Sequence, residues 1–235
     1  MVKNIAIIPA RGGSRRIPKK NVIDFMGKPM IAWTIEAAKS SGIFDRIVVS
    51  TDDEEIAEVA RNFGVDVPFM RQENSDDITP VSEATISAVK QAELFFGEEY
   101  ELVVQLMAND PIRDHVDISD HCTNFLTNKN TFQLSCFSFG WMNPWWAFKL
   151  KDGPPEWLHP EGIKARSQDL SPLYCPTGAI WIADKRSLIN ANSFYGPEYS
   201  PSFCEINWKS AVDIDDYDDL EFAKAVFILK RGVEN

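Results

Sequence analysis

Along the first half of the chain, short apolar runs alternate with segments of helical period, and this alternation constrains the fold more than any other feature. "IAIIP" (5–9), "RIVVST" (46–51) and "ELVVQLM" (101–107) are brief, continuous and rich in β-branched residues, the pattern of buried strands. Between them, "MIAWTIEAAKSSG" (30–42) carries an apolar stripe of Ile31, Ile35 and Ala38 and a stop at Gly42. "DDEEIAEVARNFG" (52–64) opens with a capping box, Asp52 with Glu55, and continues with a stripe of Ile56, Val59, Ala60 and Phe63. "VSEATISAVKQAELFFG" (81–97) is a third helix. Strands spaced by helices of this length predict βαβ units, hence an α/β fold with a mostly parallel sheet flanked by helices. Ligands of such sheets bind beyond the carboxyl ends of the strands.

The texture changes near Thr131. "TFQLSCFSFGWMNPWWAFKLKDGPPEWLHPEG" (131–162) holds four of the seven tryptophans together with four prolines, in short alternating stretches that predict β-hairpin structure. The expected organisation is a single domain over 1–235, with a β-rich lobe at about 138–176 inserted in the α/β core. "TGAIWIAD" (177–184) returns to strand character, and "SAVDIDD" (210–216) reads as a last strand feeding the helix "YDDLEFAKAVFILKRG" (217–232). The 235 residues suffice for one substantial core.

Charge narrows the function. A net charge of −11 argues against a nucleic-acid footprint, which needs an extended basic face. No apolar run approaches the length of a membrane span, and the N-terminal apolar stretch is too short for a signal sequence, so a cytoplasmic protein with no membrane partner is expected. Cys122, Cys136, Cys175 and Cys204 form no CxxC pair, and the three histidines show no ligand spacing.

Within this acidic chain, five basic residues fall in ten positions directly after the first strand, in "ARGGSRRIPKKN" (10–21). Backbone N–H groups at Gly12 and Gly13 can approach a phosphate closely, because no Cβ intervenes. Arg11, Arg15 and Arg16 add planar forks, and Lys19 and Lys20 add point charges. Neither GxxxxGK[ST] nor GxGxxG is present, so this is neither a Walker loop nor a dinucleotide fingerprint. The competing reading is a solvated surface loop; its place after the first strand favours a small anion.

These residues also resemble a known family. "IPARGGSRRIPKKN", "GKPMIAWTIEAAKSSGIFDRIVVSTDDEEIAEVA", "VPFMRQ", "SDD", "ARSQDL", "PTGAIWI" and "VDIDDYDDLEFA" together are similar to the acylneuraminate cytidylyltransferases, in family order and over nearly the whole chain. "IKARSQDL" and the C-terminal motif look closest to the pseudaminic-acid branch. The resemblance implies a nucleotide-diphospho-sugar transferase fold and a homodimer with an exchanged hairpin lobe. It also implies a Mg²⁺-dependent reaction of CTP with a 2-keto-3-deoxy sugar acid, giving a CMP-sugar and pyrophosphate. Arg11, Arg15, Lys20 and Asn21 fall on functional positions of its nucleotide motif, with Gly12, Gly13 and Ser14 forming the turn. Arg71 and Gln105 match further positions, the latter near sugar and nucleotide, and the cytosine-recognising segment "SDDITPVS" leaves both Thr79 and Ser82 as equivalents of its serine. On the sugar side the matches are Arg166 and Trp181.

"VDIDDYDDLE" (212–221) places six acids within nine positions. Asp216 suits an N-cap, and Asp218, Asp219 and Glu221 suit the positive end of the following helix. Asp213 and Asp215, two apart on the predicted last strand, project to the same face and can share a hard cation such as Mg²⁺. The family has its metal aspartates at this "DID" position, and Asp215 has a further implied role in deprotonating the anomeric hydroxyl.

The pattern departs from the family on the sugar side. Sialic-acid members carry a lysine in the hairpin segment where "MNPWWAF" has Trp145 and Trp146, either sugar-packing or interface residues. "QLMANDP" replaces a small, hydroxyl-rich stretch with Asn109 and Asp110, which points away from plain N-acetylneuraminate as acceptor. Arg166 can pair with a substrate carboxylate or with Asp169. The rival readings are an octulosonate cytidylyltransferase or other nucleotidyltransferase of the same fold, and a non-catalytic sugar-nucleotide binding module.

Overall fold

A computed structural model describes residues 3–72, 80–195 and 200–232. Its elements in chain order are β1 (Lys3–Pro9), β2 (Asp24–Phe25), β3 (Lys28–Pro29), α1 (Met30–Ser41), β4 (Arg46–Ser50), α2 (Glu54–Asn62), α3 (Val81–Phe96) and β5 (Tyr100–Gln105). There follow α4 (His115–Thr127), β6 (Phe132–Ser138), β7 (Phe148–Lys149), β8 (Glu156–Trp157), β9 (Tyr174–Asp184), α5 (Lys185–Ala191), β10 (Ser202–Glu205) and α6 (Tyr217–Gly232).

Six strands form one sheet in the order β10-β6-β9-β5-β1-β4. β1 pairs in parallel with both β4 and β5, and β10 in parallel with β6; β9 alone runs antiparallel to its neighbours β5 and β6. The α/β class and the mainly parallel sheet are those expected from the sequence. The reason is visible in β1, whose residues 5–8 are completely buried on both faces. Ala6 and Ile8 pack with Ile31 and Ile35 of α1, Ile56 of α2 and Ile118 of α4, whereas Ile5 and Ile7 pack with Ile86 and Val89 of α3 and Leu188 of α5.

A third apolar cluster decides where the loops go. Ile17 from the basic segment, Ile214 from the acidic one, and Leu220, Val226 and Phe227 of α6 bury together with Trp33 and Phe25. Fully buried Ile17 and Ile214 thereby anchor two loops almost two hundred residues apart in one core.

Three local expectations are corrected. "SAVDIDD" is not a strand: residues 208–211 form a 3₁₀ turn and 212–215 lie outside the sheet, because Ile214 is drawn into the α6 cluster rather than onto a strand edge. The cap of α2 is Asp53, whose carboxylate accepts from the N–H groups of Glu55 and Ile56, and not Asp52. Phe132–Ser138 belongs to the main sheet, and within the excursion between β6 and β9 the strand pairing is the two-residue match of β7 with β8.

Candidate active site

The basic segment leaves the carboxyl end of β1, where the Ala10 N–H still donates to the Ser50 carbonyl of β4 at 3.0 Å. The next residues fit tightly against the loop after β4. Gly12 N–H donates to Asp52 Oδ1 at 2.9 Å, and a Cβ on Gly12 would lie 2.5 Å from Asp53 Oδ2, so only glycine is accommodated there. Asn21, buried, donates from Nδ2 to the Arg11 carbonyl at 2.9 Å and closes the loop on itself. Lys19 turns away to pair with Glu55 of α2. The result is a cavity of about 290 Å³ lined by Ser14, Asn21, Asp215 and the cations Arg11, Arg15, Arg16 and Lys20. A cavity of about 350 Å³ lies between α1, α4 and α6, but its Lys230 is already held by Asp114 and Asp117. Size is therefore not what distinguishes the cation-lined cavity.

The acidic segment meets it from the other side. Ile214 N–H donates to the Asn109 carbonyl at 3.0 Å, and Asn109 Nδ2 donates back to the Ile214 carbonyl at 3.2 Å and to Asp213 Oδ1. Asp215 Oδ1 accepts from Lys20 Nζ at 2.9 Å, and its Oδ2 lies 2.6 Å from an Arg16 guanidinium nitrogen. The two aspartates differ in electrostatic state. Burial opposes ionisation of Asp215, but Lys20 and Arg16 outweigh it and hold its carboxyl below the usual range. Asp213 keeps exposed surface, yet the partial loss of water around its carboxyl, and then the charge of Asp215, push its pKa up to about 6. Asp219 and Asp216 cap α6 reciprocally, Asp219 N–H donating to Asp216 Oδ1 at 3.0 Å and Asp216 N–H to Asp219 Oδ2 at 3.1 Å.

Beneath this pair lies Asp110, completely buried and with neither carboxylate oxygen hydrogen-bonded among the described residues. Burial, and then Asp213, raise its pKa well above the ordinary value. The neighbouring Arg113 is buried too, pushed down to about 10 by loss of water, and donates to the Ala179 carbonyl at 2.5 Å and to Thr34 Oγ1 at 2.8 Å. Asn109 therefore holds the acidic segment in place, while Asp110, unpartnered among the described residues, adds a carboxyl that repels it.

As a metal site, the donor set is two hard carboxylates beside a polyanion-sized cavity. No cluster of three or more His, Cys, Asp or Glu groups able to hold a metal occurs among the described residues. Two carboxylates fit a Mg²⁺ that takes its remaining ligands from substrate phosphates and water.

The remaining predicted residues fall in different places. Arg71 is buried behind Asp52, its guanidinium 3.7 Å from Asp52 Oδ1 and its Nε without a partner among the described residues, and burial lowers its pKa. Through Asp52 it joins the Gly12 turn. Gln105 is fully buried at the end of β5, its Oε1 accepting from Thr85 Oγ1 at 2.6 Å, and it pairs in register with Trp181 of β9. Trp181 donates from Nε1 to the Thr177 carbonyl at 2.6 Å and packs edge-on against Tyr195, ring centroids 4.9 Å apart. Ser82 is buried at the start of α3, where Oγ accepts the Phe194 N–H at 3.3 Å. Gln105, Trp181 and Ser82 thus form a second grouping on the α3 face, not lining the cation cavity. Thr79 lies outside the described residues. Arg166, with 73% of its side chain exposed, pairs with Asp169 at 2.7 and 3.1 Å within the excursion. Trp145 and Trp157 pack within that excursion against His159 and Phe148 respectively, and Trp141 is exposed.

Sequence reasoning counted Arg16 only among the cations of the basic turn, read Asp52 as a helix cap and gave Asp53 no role. A usable signal existed for the aspartates: "TDD" (51–53) follows β4, the strand beside β1, and so stands at the same end of the sheet as the basic turn.

Comparison with known proteins bears on the family and the fold. The cytidylyltransferase family profile matches residues 5–149. The chain is 37% identical over 227 residues to the pseudaminic acid cytidylyltransferase of Campylobacter jejuni (serotype O:23/36), covering 96% of this chain and 97% of that one. It is 33% identical to the CMP-N,N'-diacetyllegionaminic acid synthase of Legionella pneumophila over 90% of both chains. A solved CMP:2-keto-3-deoxy-manno-octonic acid synthetase complexed with CTP shares the fold, with a TM-score of 0.71 at 18% identity over 97% of this chain and 99% of that one.

Proposed function

This chain belongs to the cytidylyltransferase family, and from that premise we propose that it transfers CMP from CTP to the anomeric hydroxyl of a nonulosonic acid of the pseudaminic type, releasing pyrophosphate. The observation that carries the reading is the cation-lined cavity at the end of β1 facing the Asp213–Asp215 pair. CTP and a sugar acid are both anions, and the reaction needs them together. Arg11, Arg15 and Lys20 offset that repulsion and hold the departing pyrophosphate, while the Gly12–Gly13 backbone allows close approach of a phosphate. Ser14 and Asn21 keep the loop closed around the triphosphate.

Asp213 and Asp215 are the residues to hold Mg²⁺, which when bound neutralises phosphate charge near the reacting centre. Asp215, with both oxygens on cations and held ionised, suits a ligand better than a proton acceptor. Ser82, Gln105 and Trp181 on the α3 face, and Arg71 behind the Gly12 turn, are assigned to the base and sugar, and Arg166 to the acceptor carboxylate once it leaves Asp169. Exposed Trp141, Met142 and Leu150 on the excursion support a homodimer joined through that lobe. The described residues contain no helix long and apolar enough to cross a membrane, and a cytoplasmic setting follows from the substrates.

The test is pyrophosphate release with each of the four nucleoside triphosphates against pseudaminic, legionaminic, N-acetylneuraminic and 3-deoxy-octulosonic acids. CTP with pseudaminic acid is expected to be the fastest pair. Faster turnover with UTP or GTP removes the cytidylyl reading, and a preference for the octulosonate moves the chain to the rival acceptor class.

A further inference from the structure

Arg16 occupies a position that the reaction itself does not explain. Both oxygens of Asp215 are taken by cations of the phosphate-binding loop, but the two cations are held differently. Lys20 has only 13% of its side chain exposed and donates to two groups, Asp215 Oδ1 and the Ile214 carbonyl at 2.7 Å. Arg16 has 61% exposed, and its ion-pair partner among the described residues is Asp215 Oδ2 at 2.6 Å. It lines the same cavity as Arg11 and Arg15. Exposed ion pairs of this kind contribute little net stability, whereas a triphosphate offers a guanidinium several negative oxygens and a bidentate geometry.

The geometry points to Arg16 as a latch on the acid pair: without nucleotide it neutralises Asp215 and competes with a divalent cation, and an arriving triphosphate draws it off and frees Oδ2. The inference rests on the reading of Asp213 and Asp215 as metal ligands. Before nucleotide binds, both oxygens of Asp215 are occupied by cations, Lys20 and Arg16. After Arg16 moves to the phosphates, the acid pair keeps one cation and gains the polyanion as a neighbour. Divalent metal therefore binds with or after CTP, not before it. Such ordering keeps the free enzyme from holding a metal that would occupy the acid pair in the wrong geometry.

The experiment measures Mn²⁺ binding by electron paramagnetic resonance, with and without CTP and with no acceptor present. The wild type is expected to bind Mn²⁺ weakly alone and much more tightly with CTP. Arg16→Gln is expected to tighten Mn²⁺ binding to the nucleotide-free protein by roughly tenfold, the scale of removing one unit charge about 5 Å from a dication in a solvated site. In EDTA the same variant is expected to bind CTP several-fold more weakly, because its guanidinium no longer reaches the phosphates. Lys19→Gln removes an equal charge that is tied to Glu55 instead, and should leave nucleotide-free Mn²⁺ affinity within about twofold, since exposed pairs away from the site are largely screened. An unchanged nucleotide-free affinity in Arg16→Gln, with CTP-dependent Mn²⁺ binding intact, overturns the latch and leaves the metal reading standing. If Asp215→Asn binds Mn²⁺ with CTP as well as the wild type does, the metal reading itself fails and takes the latch with it.

Discussion

The two ends of the parallel sheet are built from the same residue types and reach opposite electrostatic outcomes. At the amino ends of β1, β4 and β5, Glu98 accepts from Arg46 Nε and a terminal guanidinium nitrogen, both at 3.0 Å, from Lys3, and from the Tyr100 hydroxyl at 2.8 Å. The hydrogen bonds from Arg46, and then from Lys3, bring its pKa down to about 2. At the carboxyl ends, Asp110 has no hydrogen-bond partner among the described residues, Arg71 Nε has none, and Asp213 is pushed up to about 6. Charge is matched at the amino end, and partly unmatched at the end proposed to receive a charged ligand. Unsatisfied buried polar groups cost stability, so their concentration at one end marks the end that was shaped for something other than stability.

The sharpest way to break that contrast is Asp213→Ala. If the carboxyl end is catalytic, kcat falls on the order of 10³-fold, as loss of a group stabilising transition-state charge does, while CTP affinity in EDTA stays within a few-fold. Steady-state turnover with isothermal titration of CTP separates the two. Unchanged turnover would leave the chain as a sugar-nucleotide binder and make the unmatched charge incidental.

Much of this asymmetry was legible in the sequence, for physical reasons that also explain what was not. The strands and helices follow from local period, and the basic turn follows from its place after β1, so both could be read without contacts. Asp213 and Asp215 were legible as a pair because alternate residues of a strand share a face, and they remain electrostatic neighbours on either side of buried Ile214 although the segment is not in the sheet. What was hidden depends on long-range packing. Nothing local announces that Ile17 and Ile214 share one cluster, yet that cluster brings Arg16 and Lys20 onto Asp215. Asp52 and Asp53 exchanged roles for a similar reason. The approach of Gly12 claims Asp52 and leaves Asp53 to cap α2. Gln105 reads only as a polar residue at a strand end, and it is the pairing of β5 between β1 and β9 that shows it buried and bonded to Thr85.

Two neutralising substitutions then sharpen the contrast, because they should titrate with opposite signs. Glu98 is held ionised in the folded protein, so its contribution is present above the unfolded value near 4.5 and is lost as pH falls toward about 2. Glu98→Gln should lower the urea midpoint at pH 7 with kcat unchanged, and its difference from wild type should shrink as pH drops through that window. Asp110 is the reverse and the smaller effect. Its folded pKa is raised, so the folded state binds its proton more tightly than the unfolded chain does. The residue therefore costs nothing below about the ordinary 3.8 and becomes progressively destabilising as pH rises above it. Asp110→Asn keeps the shape and removes the charge. It should raise Tm at pH 7–8 by about 2–4 °C, the shift that about 1 kcal/mol produces in a chain of this size, with the gain vanishing in acid. A loss of stability at every pH would mean that Asp110 is ionised and well solvated in the folded protein, and the two ends of the sheet would then differ in ligand chemistry but not in how their charges are satisfied.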